Sequence, residues 1–424
     1  RKEFEKAAVK FALCFPDMYE VGMSNLGIRI LYGILNRIPD VVCERFFCVA
    51  SDLEQALRSQ GKEIFSLESR KRLRDFDMIG FSLGSDLDYT NVLSILDLGK
   101  IPLEASERDD SYPLVIAGGP AALNPEPMHA FFDLFVIGEA EEAIVEIIDT
   151  CRSSKSASIS KQDLLLRLSQ IEGVYVPSFY EVAYSADGSV EEFKPKFKGV
   201  PFRIKKRIVQ NLDSSYFPTD WLVPYIQVIH DRMTLEIARG CPNRCRFCQA
   251  RSGYYPYRPR SVKKILDLAQ ETCQRTGYEE ISLCGLSVSD YLSIGELSKS
   301  LIEMFRQKAV SVSLPSVKPK TMLGDISSLI ATIKKTGLTF APEAGSSRLR
   351  KILAKDFDEQ DFFKTLEEAY AAGYQRVKLY FMIGLPQEQE QDLQAIVDLA
   401  TQVSQLKKKT GKGPAFVNIS VNTL

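Results

Sequence analysis

Three cysteines, Cys241, Cys245 and Cys248, stand in the run CPNRCRFC, and their C-x3-C-x2-C spacing is the chain's clearest chemical signal. Gaps of four and three residues let one short loop reach three corners of a cubane 4Fe–4S cluster. Three thiolates leave the fourth iron without a protein ligand, open to a small molecule. A closed zinc site competes with this reading. It needs a fourth ligand, and the 2 histidines, His129 and His230, are not at finger spacing, so Cys273 or Cys284 would have to serve. Arg239, Arg244 and Arg246 make the loop electropositive, which favours thiolates over inert thiols. A non-catalytic cluster that holds structure or relays electrons also satisfies these residues.

Such a loop needs a scaffold. The strand-like run TLEIARG (234–240) leads straight into it, and EISLCG (280–285), VSVSLPS (310–316), GLTFAPE (337–343), RVKLYFMIG (376–384) and FVNISV (416–421) follow, separated by helical periods. Six βα steps predict a partial (β/α)6 barrel of the TIM type, with chemistry at the carboxyl ends of its strands. Upstream, AAVKFALCF, DMIGFSLGS, PLVIAGGP and FFDLFVIGE alternate with amphipathic stretches. That is the βαβ rhythm of an open, doubly wound, Rossmann-like α/β sheet. Between them, a hairpin turning at Asp187-Gly188 is expected. A basic run follows it, Lys194, Lys196, Lys198, Arg203, Lys205, Lys206 and Arg207, with no acid from 194 to 207. It reads either as a solvated linker or as a contact for RNA or phosphate. The expected division is 1–152, 153–230 and 231–424.

The 424 residues, 45% hydrophobic and 26% charged, describe a folded protein of two or three units. Lys+Arg 54 against Asp+Glu 55 leaves a net charge of -1, which argues against coating nucleic acid by bulk charge. No apolar run approaches the roughly 18–20 residues of a membrane span, and RKEFEKAAVKFALCF lacks a secretion-signal pattern. With 9 scattered cysteines, a reducing, cytoplasmic setting is expected. The chain opens on Arg1 and stops at Leu424 inside an alternating apolar run, as a fragment of a longer protein would.

ARGCPNRCRFCQA resembles the radical S-adenosylmethionine (radical SAM) enzymes, with Phe247 as the aromatic residue that commonly precedes the last cysteine. The resemblance implies that the open iron is chelated by the amino and carboxylate groups of S-adenosylmethionine. It also implies that one electron from the reduced cluster releases methionine and a 5'-deoxyadenosyl radical, which removes a hydrogen atom. A reductant such as flavodoxin or ferredoxin would supply the electron. Cys284, Gly285 and Ser287 occupy the place whose backbone meets the methionyl amino group. Glu343, Ser346 and Arg348 of FAPEAGSSRLR fall near the ribose and methionyl carboxylate, the arginine fork matching two oxygens. Met382, Gly384 and Pro386 of KLYFMIGLPQE fall on the adenine side. That segment departs from the family pattern: Tyr380 replaces the first glycine, and the acid comes one residue late, at Glu388.

The loop after the first strand reads FPDMYEVG (15–22), where cobalamin-binding domains carry D-x-H-x-x-G. Asp17, Tyr19 and Gly22 match it, with tyrosine in place of the histidine that would be the lower cobalt ligand. Ser82 after the third strand and Gly118-Gly119 after the fourth also resemble that domain's cofactor-facing loops. Glycines there let backbone approach a flat macrocycle or a phosphate. The order of the two parts is similar to that of cobalamin-dependent radical SAM enzymes, many of them methyltransferases or ring-forming enzymes. NPEPMHAFFD, FVIGEAEEA, IHDRMTLEIARGC and FAPEAGS resemble a bacterial family of cobalamin-binding-domain radical SAM proteins over nearly the whole chain. The expected reaction is methylation or methylthiolation of a bulky substrate, with the basic run and the Tyr/Arg stretch pointing to RNA and with cobalamin as a further cofactor, or hydrogen abstraction without it. In RSGYYPYRPRS, residues Tyr254, Tyr255, Tyr257, Arg258 and Arg260 can clamp such a substrate by stacking or pack beneath a helix starting near Ser261.

Overall fold

The computed structural model describes residues 2–157, 159–308, 310–313, 338–371, 373–410 and 413–424. They form two units, Arg1–Gln210 with Ser214–Asp231, and Asn211–Asp213 with Arg232–Leu424. Both are α/β, as the alternation of short apolar runs and amphipathic stretches predicts.

The first unit is built on a six-stranded sheet. Its strands are β1 (Val9–Phe15), β2 (Val41–Phe47), β3 (Met78–Ser82), β4 (Leu114–Gly118), β5 (Leu134–Val136) and β6 (Val174–Tyr175), in the order β2-β1-β3-β4-β5-β6. The first five are parallel and β6 runs antiparallel to β5. Strands covered on both faces read as continuous apolar runs, and β1 and β2 are buried almost throughout. Glu44 and Arg45 are buried in β2, and each is satisfied: Glu44 accepts from Ser66 at 2.5 Å, and Arg45 pairs with Glu68 at 2.7 Å. The order reverses at β1, so the loops after β1 and β3 flank the crevice where open α/β sheets bind ligands. The Asn91 side chain donates to the Pro16 carbonyl at 2.9 Å and ties one flank to the other.

An antiparallel hairpin, β7 (Tyr180–Tyr184) with β8 (Val190–Pro195), turns at Gly188 with φ of 83°. Part of the basic run, which starts in β8, is engaged within the unit. Lys194 pairs with Glu181 and Glu192, Lys205 with Glu172, and Arg207 with Glu142 and Glu146. Lys196 donates to the Ser178 carbonyl.

The second unit contains β9 (Met233–Glu236), β10 (Ala238–Arg239), β11 (Arg258–Pro259), β12 (Glu280–Cys284), β13 (Ser311–Ser313), β14 (Leu338–Glu343), β15 (Arg376–Ile383) and β16 (Phe416–Thr423). Two parallel sheets are described, β13-β12-β9 and β14-β15-β16, and β10 pairs antiparallel with β11. Of the strand expected at 310–316, residues 314–316 lie outside the described residues, as does 337 of the next one. Helices Val262–Thr276, Ile294–Phe305, Glu359–Ala371 and Glu390–Leu406 alternate with the strands. Ser261 caps the first of these through the Lys264 N–H, and Gly277 ends it in the left-handed region at φ 73°. Phe340, Phe362, Leu366, Leu379, Phe381 and Val403 form the core beneath β14 and β15, each contributing about 1.5–3 kcal/mol on burial. Among the described residues, no helix is long and apolar enough to cross a membrane.

Candidate active site

β9 and β10 deliver Cys241 two residues beyond Arg239. The turn requires Gly240: its φ is 83°, and an added Cβ would lie 2.5 Å from the Pro256 carbonyl oxygen. Cys241, Cys245 and Cys248 are unbridged and partly accessible. The loop is pinned at its middle, where the Arg246 N–H donates to the Leu353 carbonyl at 2.9 Å. Beside that bond, Phe247 packs against a cluster of Ala344, Leu349, Leu353 and Leu385. These apolar contacts bring the cysteine loop to the loops that follow β14 and β15.

A polar link joins the cysteine loop to the loop after β12. Asn243 Nδ2 donates to Cys241 Sγ at 3.3 Å and to Asp290 Oδ2 at 2.5 Å. Ser287 Oγ donates to the same carboxylate oxygen at 2.5 Å. Gly285 stands just beyond β12, where an added Cβ would lie 3.4 Å from the Ala238 carbonyl oxygen. Nearby, Tyr257 holds a sealed hydroxyl with no hydrogen-bond partner among the described residues. Its phenol is pushed up by burial first, then by negative charge at Asp290 and Cys241. Among the described residues, no three His, Cys, Asp or Glu side chains gather at one metal-sized position.

Glu343 ends β14 in the left-handed region, at φ 66°, beside a register shift between Phe340 and Glu343. A non-glycine residue held there costs about 1–3 kcal/mol, a strain that clusters at functional sites. Lys355 Nζ reaches its carboxylate at 2.5 Å. Ser346 caps the helix Ser347–Ile352, accepting from the Leu349 N–H at 3.2 Å, and its hydroxyl donates to Asp392. Arg348 donates to Asp392 and to the Gln387 carbonyl, the latter at 2.9 Å. Asp392 is only 4% exposed. Burial acts to raise its carboxyl, but hydrogen bonds from Ser346, Arg348 and the Gln389 N–H outweigh that and hold it below the ordinary value. Gly384 lies just after β15 at φ 80°, and its N–H donates to Glu388 at 2.7 Å.

The structure thus places Gly285, Ser287, Glu343, Ser346, Arg348 and Gly384 at the carboxyl ends of parallel strands, the same side on which the cysteine loop emerges. Gly384 makes only a local bond among those described, while Ser346 and Arg348 share one carboxylate. Asn243, Asp290, Lys355 and Asp392 are the residues that reading the sequence missed. Asp392 carried a legible signal as the N3 acid of a capping box with Gln389, but not as the partner of residues 44 and 46 positions away. Arg258 and Arg260 are not a surface clamp. Arg260 is 1% exposed, and its Nε donates to the Glu236 carbonyl at 3.1 Å; Arg258 is buried also.

At the carboxyl edge of the first unit's sheet, Asp17 accepts from the Met18 N–H at 2.6 Å, and the Tyr19 hydroxyl accepts the Tyr225 N–H at 2.9 Å. The Tyr19 ring meets Phe47 edge-on, and a Cβ on Gly22 would lie 2.2 Å from the same phenylalanine. Ser82 and Gly118 end the paired strands β3 and β4. Gly119, at φ 98°, lies so near Leu83 that a Cβ would be 2.5 Å from its carbonyl oxygen. Asp88 shapes the loop after β3 by accepting from the N–H groups of Gly84 and Ser85 at 2.5 and 3.1 Å. Met18 and Leu87 on these loops, and Val223 and Tyr225 on the segment that meets Tyr19, leave apolar surface exposed, Leu87 and Tyr225 at 85%.

Comparison with known proteins finds two matching families: radical SAM proteins, N-terminal, over residues 27–177, and the radical SAM superfamily over residues 235–400. An uncharacterized protein of Methanocaldococcus jannaschii is 30% identical over 415 residues, 97% of this chain and 76% of that one. A tRNA-2-methylthio-N(6)-dimethylallyladenosine synthase of Ruegeria sp. is 26% identical over 178 residues, 40% of each chain. Among solved structures, the radical S-adenosylmethionine methyltransferase TsrM of Kitasatospora setae, with cobalamin and a 4Fe–4S cluster bound, is similar with a TM-score of 0.63. That match covers 97% of this chain and 72% of TsrM at 11% identity. The cobalamin-dependent S-adenosylmethionine radical enzyme OxsB is similar at 0.59, over 92% of this chain and 52% of OxsB, at 14% identity. These two likenesses are likenesses of fold.

Proposed function

Since the chain belongs to the radical SAM family, whose cofactors are a 4Fe–4S cluster and S-adenosylmethionine, we propose that Cys241, Cys245 and Cys248 hold that cluster and that the chain modifies a bulky acceptor by methylation or methylthiolation. The observation that carries the reading is three unbridged cysteines on one loop, tied by Asn243 and Asp290 to the loop after β12 and by Phe247 to those after β14 and β15. The parallel strands β9, β12, β13, β14, β15 and β16 are read as one partial (β/α)6 barrel. When bound, the cluster supplies one electron to the sulfonium of S-adenosylmethionine.

The chain's own residues do the positioning. The backbone at Gly285, with Ser287 behind it, receives the methionyl amino group. Arg348 presents its fork to the methionyl carboxylate, which competes with Asp392 and the Gln387 carbonyl for the same guanidinium. Glu343 and Ser346 face the ribose, and the Gly384 turn faces adenine. Phe247 and Leu385 keep the floor of the loop dry, which strengthens each polar contact above it. The Tyr257 hydroxyl, with no partner among the described residues, fits a site completed by a bound group.

In the first unit, Asp17, Tyr19, Gly22, Ser82, Gly118 and Gly119 line the site assigned to cobalamin. The apolar rim suits a flat macrocycle, but Tyr19 offers no imidazole to cobalt. Cobalamin held by these residues would have no histidine of this loop as a ligand. A second reading, hydrogen abstraction without cobalamin, is favoured by the Tyr19 hydroxyl, which already accepts the Tyr225 N–H. RNA is the acceptor class to try first, supported by the likeness to the tRNA-modifying synthase. The ion pairs that occupy Lys194, Lys205 and Arg207 weigh toward other bulky acceptors. A flavodoxin or ferredoxin in the cytoplasm is the reductant we assign.

Anaerobic reconstitution tests the whole. About four irons per chain are expected, with an EPR signal of the reduced cluster that changes when S-adenosylmethionine is added. An unchanged signal, or stoichiometric zinc without sulfide, overturns the assignment. Hydroxocobalamin retained through a desalting column supports the corrinoid reading, and loss of it selects the cobalamin-free one.

A further inference from the structure

We infer that Asn243, positioned by Asp290, is a hydrogen-bond donor to the Cys241 thiolate that sets the reduction potential of the cluster. The inference rests on the cluster assignment above and adds a residue that is not itself a ligand. An asparagine amide nitrogen carries two hydrogens, and Asn243 Nδ2 has two acceptors within reach, Cys241 Sγ at 3.3 Å and Asp290 Oδ2 at 2.5 Å. Turning the amide over would aim its carbonyl oxygen at a thiolate and a carboxylate, so the environment admits only the nitrogen there.

Asp290 is itself held. Its Oδ2 also accepts the Ser287 hydroxyl at 2.5 Å, and it belongs to the short helical turn Val288–Asp290 that follows β12. The amide is thus braced from a second element rather than from its own loop. That bracing matters because Asn243 lies in the three-residue gap between two cysteines, where the loop alone leaves a side chain free to turn. An N–H directed at a cluster sulfur stabilises the reduced cluster, which carries one more negative charge, more than it stabilises the oxidised one. The donor therefore raises the potential and eases the uptake of one electron from a flavodoxin- or ferredoxin-class reductant. Because Ser287 shares the Asp290 oxygen, a group that docks on the loop after β12 and draws Ser287 away also changes how firmly the amide is held.

The measurement is an EPR-monitored redox titration of the reconstituted full chain, with and without S-adenosylmethionine. Asn243→Leu keeps the size and removes the donor, so its midpoint is expected at a more negative potential, with iron content near that of the parent chain. Should Asn243→Leu assemble too little cluster to titrate, Asn243→Ser, too short to span both acceptors, is expected to shift the same way. In an Asp290→Asn background the shift caused by Asn243→Leu is expected to shrink, because the amide is already loosened. Midpoints equal in the parent and both Asn243 variants overturn the inference, as does lower cluster content with an unmoved midpoint, which is what a purely structural residue would give. Simple addition of the Asn243 and Asp290 shifts overturns the positioning part. An unaltered chain that shows no 4Fe–4S signal overturns the cluster assignment itself, and the two failures are told apart because only that one appears without a substitution.

Discussion

The loops at the carboxyl edge of the β1–β5 sheet and those at the carboxyl ends of β9, β12, β14 and β15 occupy equivalent places in two α/β units, yet they are built by opposite means. The second set presents reactive side chains at fixed intervals, Cys241, Cys245 and Cys248, with Asp290 holding the Asn243 amide against Cys241 and Asp392 holding Ser346 and Arg348. The first presents backbone at Gly118 and Gly119, an apolar rim, and a phenol at Tyr19 whose hydroxyl is already engaged, with Gly22 buried against Phe47. Donor side chains commit a loop to the groups that thiolates hold, a cluster or a metal ion. Bare backbone commits it only to a shape.

The largest effect that can break this contrast is loss of a thiolate. Replacing Cys241, Cys245 or Cys248 by Ala is expected to reduce formation of 5'-deoxyadenosine to background, while Cys273→Ala leaves it intact; activity surviving in all three cysteine variants would refute the ligand set. On the backbone-built side, Gly119→Ala sets a Cβ 2.5 Å from the Leu83 carbonyl oxygen at φ 98°. It is expected to destabilise the chain by about 2–3 kcal/mol in urea unfolding and to lower retention of hydroxocobalamin. Gly285→Ala, with its nearest neighbour at 3.4 Å, should leave stability nearly unchanged. Equal losses from the two glycine changes would remove the distinction drawn here.

Asp392→Asn comes next. It weakens the hold on Ser346 and Arg348 and is expected to raise KM for S-adenosylmethionine about tenfold, the equivalent of about 1.4 kcal/mol, with a smaller change in kcat. The pH dependence follows from the lowered carboxyl. Its stabilising contribution is complete above the ordinary value of 3.8 and is lost as pH falls below that toward the lowered folded value. The parent chain should therefore lose urea resistance in that acid window more steeply than Asp392→Asn does. Tyr19→Phe is the smallest change. It removes the acceptor of the Tyr225 N–H, costs about 1 kcal/mol, and should leave hydroxocobalamin retention as it was. Retention abolished by this substitution would make the Tyr19 hydroxyl a direct contact of the corrinoid and sharpen the picture of the first unit.

Much of the architecture was open to reading from local pattern. Continuous apolar runs such as VKFALCF and VVCERFF signal strands covered on both faces, and the Ser261 and Gly277 positions signal where a helix starts and stops. What escaped has a common cause in distance along the chain. Asp392 looks like the acid of a capping box, and only the folded chain brings Ser346 and Arg348 onto it. Arg260 sits in a run whose tyrosines and arginines fit either a clamp or packing beneath a helix, and only the fold shows it buried, donating to the Glu236 and Leu212 carbonyls. The basic run from Lys194 to Arg207 reads equally as a linker or a polyanion contact, and only the fold shows Glu142, Glu146, Glu172, Glu181 and Glu192 pairing with Lys194, Lys205 and Arg207.

The order of residues by itself determined the α/β alternation, the family, and the presence of three sulfur donors on one loop, because strand and helix periods and ligand gaps are local quantities that a few neighbouring residues settle. Tertiary structure alone decided which carboxylates brace those donors, which arginines lie in the core, and that the Tyr19 phenol is spoken for by a backbone N–H more than two hundred residues away. Hydrogen bonds and ion pairs reach only about 3–4 Å, so a partner far along the chain exists only after folding has carried it there.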